Sequence, residues 1–195
     1  MKSRAVAFVT YGQLLLALFL ALCVALHPGL VLKADEGGMS NYGIHAKTTV
    51  AYTLALGSPM LFSFLGARLL PGDGDVPQQF RFLLRLYAWL LLLTLASTYG
   101  YSLNTGLRDV HIVIGAALAI FQLTASVWMY RRLQRGVDAS LLAVEVAGFV
   151  LAVLTIVGAL HILFLTQVLT SGAFALLLVR SASRIDARLR EQQNT

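Results

Sequence analysis

The sequence predicts an all-α integral membrane protein, a bundle of six transmembrane helices with both termini cytoplasmic. Three observations carry this expectation. Of the 195 residues, 58% are hydrophobic and 12% charged, with a mean hydropathy of +0.76; a soluble domain carries about a quarter charged residues. The apolar residues fall into runs near the ~20 needed to cross about 30 Å of hydrocarbon. The basic residues gather on alternate loops, which is how orientation in a membrane is set.

The first run, Ala5 to Leu32, is broken by Thr10, Gly12, Gln13, His27 and Pro28. It is far longer than the roughly 7–15 apolar residues of a signal peptide. Leu22 is too bulky to precede a lipoprotein cysteine at Cys23. The run therefore reads as a retained first span, about 7–30, closed by His27-Pro28-Gly29. The second span, about 48–70, carries Gly57-Ser58-Pro59 near its middle, and Pro59 removes a backbone donor, which predicts a kink. The third covers about 82–103 and the fourth about 110–130. The apolar stretch from Ala139 to Val179 is twice one span, so it must fold back at Gly158-Ala159-Leu160-His161. That gives a fifth span over 139–158 and a sixth over 161–179. Residues 1–180 thus form the transmembrane domain, and 181–195 a charged tail expected to fray into solvent.

Charge fixes the orientation. With the N-terminus inside, cytoplasmic segments hold Lys2, Arg4, Arg68, Arg81, Arg85, Arg131, Arg132, Arg135, Arg180, Arg184, Arg188 and Arg190; outer segments hold Lys33, Lys47 and Arg108. Every alternate loop agrees, and adding or removing one span would break the alternation. The net charge of +6 belongs to these clusters, with no soluble basic domain to bind nucleic acid. The expected location is the cytoplasmic (inner) membrane, with membrane lipids as the surrounding partners.

Pro71-Gly72-Asp73-Gly74-Asp75-Val76-Pro77 is turn chemistry. It lacks the late Glu of a calcium loop. Cys23 is the one cysteine, so neither an internal disulfide nor a thiolate metal site is expected. No Walker loop, GxSxG or HExxH motif is present.

All four histidines, His27, His45, His111 and His161, fall at the outer ends of spans or in outer loops on this topology. Asn41, His45, Thr48 or Thr49, and Tyr52 recur at three-to-four spacing, a polar stripe entering the second span. His111, Gly115, Gln122 and Ser126 share a face of the fourth. The third ends in Ser97-Thr98-Tyr99-Gly100-Tyr101-Ser102-Leu103-Asn104. Lipid does not tolerate such stripes outward. The expectation is an outward-facing polar vestibule between the second, third and fourth spans, lidded by residues 35–47. Its ligand-binding candidates are Asn41, His45, Tyr52, Tyr99, Tyr101, His111 and Gln122. Asp109 reads as the N-cap of the fourth span, and the tyrosines double as interfacial anchors. His45, His111 and Asp109 are the first candidates for a metal, but no two histidines lie four apart on a helix, and neither metal nor cofactor is expected. Glu145 is the one carboxylate well inside a span, which marks function or pairing; a pair with Arg85 or Arg132 is expected.

The topology, with Gly38-Met39-Ser40-Asn41-Tyr42-Gly43 in the first outer loop, resembles the DRAM/Frag-type six-pass family and its bacterial relatives. That family carries a short Ser-containing motif in a comparable place, with Ile-Ser-Asp where this chain has Met39-Ser40-Asn41. The resemblance implies a membrane role in trafficking, lipid handling or sensing, with no catalytic residues to carry over. The sequence thus points to a non-enzymatic bundle that binds a lipid, small molecule or partner through its outer vestibule. A small transporter or channel is the first alternative, and a membrane-embedded enzyme or metal or haem protein using outer His, Asp and Tyr groups the second. Ligand identity and oligomeric state are not encoded in any motif.

Overall fold

The computed structural model describes residues 3–33, 38–72, 74–100, 105–133 and 137–193. All regular structure among them is helical. In chain order it comprises α1 (Arg4–Leu26), α2 (Gly29–Lys33), one 3-10 turn (Gly38–Ser40), α3 (Asn41–Ile44), α4 (Thr49–Leu69), α5 (Asp75–Gly100), α6 (Thr105–Leu133), α7 (Val137–Ile156) and α8 (Leu163–Gln193). Of these, α1, α4, α5, α6, α7 and α8 are long and apolar enough to cross a membrane.

Each boundary has a local cause. The Ser3 side chain caps α1 by accepting from the Val6 amide at 3.4 Å. His27 ends that helix with φ −147° and ψ 68°, because the residue before a proline is driven from helical geometry. The His45 carbonyl accepts from the Thr48 and Thr49 amides, both at 2.9 Å, and the buried Thr48 hydroxyl donates to the Tyr42 carbonyl at 2.6 Å. Those bonds tie α3 to the start of α4. Pro77 lies in the first turn of α5, where its missing donor costs nothing. That helix accordingly starts at Asp75, earlier than its apolar run. The fold-back after α7 sits at the expected place, with Gly158 at φ +80°, a left-handed conformation that glycine adopts freely.

Large apolar side chains stand on the outside of the bundle and polar ones are buried within it. On α1, Leu14, Leu18, Leu22 and Leu26 face outward at every fourth position, as helical geometry requires of one stripe. Inside lie Gln13, Ser63, Thr94, Thr98, Gln122, Ser126 and Glu145, all buried. Helix α1 packs most closely on α4, and Gly12 makes that approach possible. A Cβ there would stand 2.9 Å from the Phe62 Cβ and 3.1 Å from the Pro59 Cα. Further pairs are α4 with α5, α5 with α6, and α7 with α8, whereas α1 with α8 and α6 with α7 touch sparsely. At mid-bundle, Tyr87 meets Phe174 edge-on with ring centroids 5.0 Å apart, and Phe121 closes the cluster.

At the end holding the termini, Asp138 is paired with Arg180 at 3.0 Å and with Arg184. The amide of Ser3 donates to Asp186 at 3.2 Å. Here the structure corrects one expectation: the segment after Arg180 does not fray but continues α8, burying Ser181, Ala182, Ile185 and Asp186. Two more corrections lie elsewhere. Asp109 is inside α6, which begins four residues earlier, so it is not the N-cap. Glu145 is fully buried and neither carboxylate oxygen has a hydrogen-bond partner, while Arg85 and Arg132 are exposed; the expected pair does not form.

Candidate functional site

The end of the bundle opposite the termini holds a cavity of about 590 Å³ lined by parts of α1, α4, α5, α6, α7, α8 and the 3-10 turn. That turn is pinned from the far side of the chain: the Met39 amide donates to Gln167 Oε1 on α8 at 2.7 Å. Gly38, at φ +60°, lets the backbone start the turn. Ser40 is thereby held with its Oγ 2.6 Å from His111 Nε2. The other ring nitrogen, Nδ1, lies 2.8 Å from Ser97 Oγ on α5.

Ser97 Oγ also lies 3.0 Å from the Thr94 carbonyl oxygen. His111 is bracketed by two serine hydroxyls, one at each ring nitrogen, and is 92% buried on the cavity wall; which serine donates and which accepts follows from the tautomer of the ring. Beside it the Tyr52 hydroxyl lies 3.4 Å from Thr98 Oγ1 and within reach of Ser40.

Deeper in the cavity stand Tyr87 and Gln122. The Tyr87 hydroxyl reaches towards the amides of Gln122 and of Gln13 on α1. Gln13 is 93% buried, and neither of its amide atoms closes a hydrogen bond of good geometry. Gln13 also lines a second space, a groove of about 290 Å³ between α1 and α8. Apart from Gln13 and Ser171 the groove walls are apolar, and Ala17, Ala21, Val168 and Gly172 along it are exposed at the bundle surface. Groove and cavity adjoin, with Leu16, Leu20, Met39 and Ser171 contributing to the walls of both.

Of the seven residues singled out from sequence, Tyr52, His111 and Gln122 line the cavity. Tyr101 lies outside the described residues. Tyr99 is largely exposed and bonds Thr53 on α4. His45 turns away: its ring lies against His27, centroids 5.3 Å apart, and its carbonyl serves the start of α4. Asn41 is half-buried at the head of α3 and does not line the cavity. The vestibule is wider than expected, since α1, α7 and α8 contribute walls as well as α4, α5 and α6. His161, in the turn before α8, stands at its rim with Arg108. Among the described residues no carboxylate lines it. Ser40 and Ser97, present in the loop motif and in the polar end of the third span but not among the ligand-binding candidates, are contributors, together with Gln13, Tyr87 and Gln167. For Gln13 and Gln167 the signal was a lone amide within an apolar run.

Among the described residues no three His, Cys, Asp or Glu side chains come together as metal ligands. Tyr42 lies beneath the site with its ring 5.7 Å from Phe164. Burial pushes its phenol above the usual range, and the neighbouring Cys23 adds to the shift. Comparison with protein-family models, curated proteins and solved structures gives no match.

Proposed function

We propose that this chain binds a membrane lipid of the outer leaflet, with the polar head in the cavity and one hydrocarbon chain in the groove between α1 and α8. The observation that carries this reading is the adjacency, across Leu16, Leu20, Met39 and Ser171, of a cavity holding hydroxyl, amide and imidazole groups and an apolar groove of single-leaflet length. On α8 the groove runs from Phe164 to Ala175, a rise of about 17 Å at 1.5 Å per residue. That is about half of the ~30 Å hydrocarbon thickness, the depth one acyl chain fills. Hydroxyl and amide groups of Ser40, Tyr52, Gln122 and Gln167 supply hydrogen bonds for a head group, and Arg108 and His161 give the rim basic side chains. The positive-inside pattern supports an outer-face position for this end, and the DRAM/Frag-type resemblance fits a role in lipid handling.

The test is photo-crosslinking in phosphatidylethanolamine and phosphatidylglycerol vesicles, using a phospholipid with a diazirine at the end of one chain. Label concentrates on Ala17, Ala21 and Val168 above the level at Leu18 and Leu22, which face bulk lipid. Gly172→Trp removes the enrichment, since a Cβ at Gly172 meets nothing within 4 Å and the indole fills the groove. Equal labelling of groove and outer surface would reject the reading.

A second reading, transport, draws on a different observation. Below Gln122 the polar residues continue through Ser126 to Glu145, whose side chains approach one another inside the bundle. Lipid movement between leaflets that stops in Glu145→Leu would favour it over static binding.

A further inference from the structure

We propose that Ser40 is a nucleophile activated by His111, and that the cavity performs acyl transfer on an ester of the bound lipid. The proposal rests on the lipid reading for its substrate class and on the hydrogen-bond chain for its chemistry. It goes beyond the non-enzymatic role expected from sequence.

An activated serine needs three things: a base in hydrogen-bond reach, a third group that fixes the tautomer of that base, and space for a carbonyl. The site offers each of them. Ser40 Oγ is 2.6 Å from His111 Nε2. Ser97 Oγ is 2.8 Å from Nδ1 and 3.0 Å from the Thr94 carbonyl oxygen; in the proposed arrangement Ser97 donates to that carbonyl and accepts from Nδ1–H, and Nε2 takes the Ser40 proton. Ser40, His111 and Tyr52 all line the cavity, so a carbonyl reaches Ser40 from that space although Ser40 itself is 93% buried. A serine that merely braced the fold would not need a position on a cavity wall.

The step balances with the groups present and one water. Ser40 Oγ attacks the ester carbonyl carbon while its proton passes to His111 Nε2. The carbonyl electron pair moves to oxygen, where Tyr52, within reach of Ser40, turns its hydroxyl from the long 3.4 Å bond to Thr98 to donate. Collapse breaks the bond to the alkoxide oxygen, which takes the proton from His111, and an acyl-Ser40 remains. Water then repeats the sequence in reverse roles, releasing a fatty acid and restoring the serine. Ser97 touches neither substrate nor reacting atoms and is a positioning residue.

The experiment is labelling of the full-length protein in detergent with alkyl fluorophosphonates. There the same attack forms the Oγ–P bond and expels fluoride. Ser40 is labelled in the wild type, read by peptide mass spectrometry. His111→Gln slows labelling by about 10²–10⁴-fold, the contribution of a general base. Ser97→Ala slows it, and Ser97→Thr, which keeps the hydroxyl, restores it; a purely structural serine would not produce that pattern. If His111→Gln lowers the melting midpoint, the Ser97 pair carries the test. No labelling of Ser40 in folded wild-type protein, or labelling unchanged in both His111→Gln and Ser97→Ala, overturns the proposal. Chain length separates this from the lipid reading. Faster labelling by a long-chain than a short-chain probe, with the preference lost in Gly172→Trp, supports both. Labelling without chain preference supports the nucleophile and rejects a lipid ester as its substrate.

Discussion

Two glycines predict opposite responses to one methyl group, and the contrast tests the packing that shapes the cavity. In Gly12→Ala the new Cβ would lie 2.9 Å from the Phe62 Cβ and 3.1 Å from the Pro59 Cα. The second contact is backbone, at a proline inside α4, and cannot swing aside. Overpacking of this kind costs about 1–3 kcal/mol, and the better helix propensity of alanine returns about 0.5–1 kcal/mol. The net cost is therefore up to about 2.5 kcal/mol, and at about 2–4 °C per kcal/mol for a chain of this size the midpoint falls by up to about 10 °C. Gly115, on the cavity wall of α6, has nothing within 4 Å of its Cβ position. There only the propensity gain operates, and Gly115→Ala raises the midpoint by about 1–4 °C. The assay is thermal melting of both variants in one detergent, followed by tryptophan fluorescence and by loss of monodisperse protein on size exclusion. A Gly12→Ala midpoint at or above wild type would refute the close approach of α1 to α4. Equal losses in both variants would refute the open wall at Gly115.

Other variants probe the buried polar groups. Glu145 is fully buried beside Ser126, and neither carboxylate oxygen closes a hydrogen bond of good geometry, so Glu145→Leu removes a poorly satisfied group worth about 1–3 kcal/mol and raises the melting midpoint; a fall would mean that the approach of Ser126 is a full hydrogen bond. Asp138 holds Arg180 and Arg184 from α8. Asp138→Asn lowers stability by about 1–3 kcal/mol, below the 3–5 of a fully buried pair because the arginines keep part of their hydration; an unchanged melt would contradict the pairing. Thr48→Val deletes the buried hydroxyl bond to the Tyr42 carbonyl at a cost of about 1 kcal/mol, and amide exchange in α3 should quicken while the middle of α5 is unaffected.

What could be read from the sequence was whatever depends on near neighbours. Apolar runs of span length gave the six helices, Pro28 gave the end of α1, and Gly158 gave the turn before α8. Boundaries moved where capping and propensity extended a helix past its apolar run, as at Asp75 in α5 and beyond Arg180 in α8. The site was legible only in part, because its bonds join distant positions. Ser40 and His111 are 71 residues apart, and Met39 and Gln167 are 128 apart. Periodicity places His111 and Gln122 on one face of α6 but cannot show that a turn held from α8 delivers Ser40 to that face. His45 was misplaced for the complementary reason. The stripe assumed one continuous helix from Asn41, but the chain breaks between Ile44 and Thr49, which rotates His45 away towards His27.

Native mass spectrometry of the purified protein tests the lipid site most directly. Wild type should retain a single phospholipid through mild detergent, and Gly115→Trp, whose indole grows into the cavity from a position with open space around it, should lose that adduct while keeping its melting midpoint. A wild type with no bound lipid, or an adduct retained undiminished by Gly115→Trp, would contradict the site.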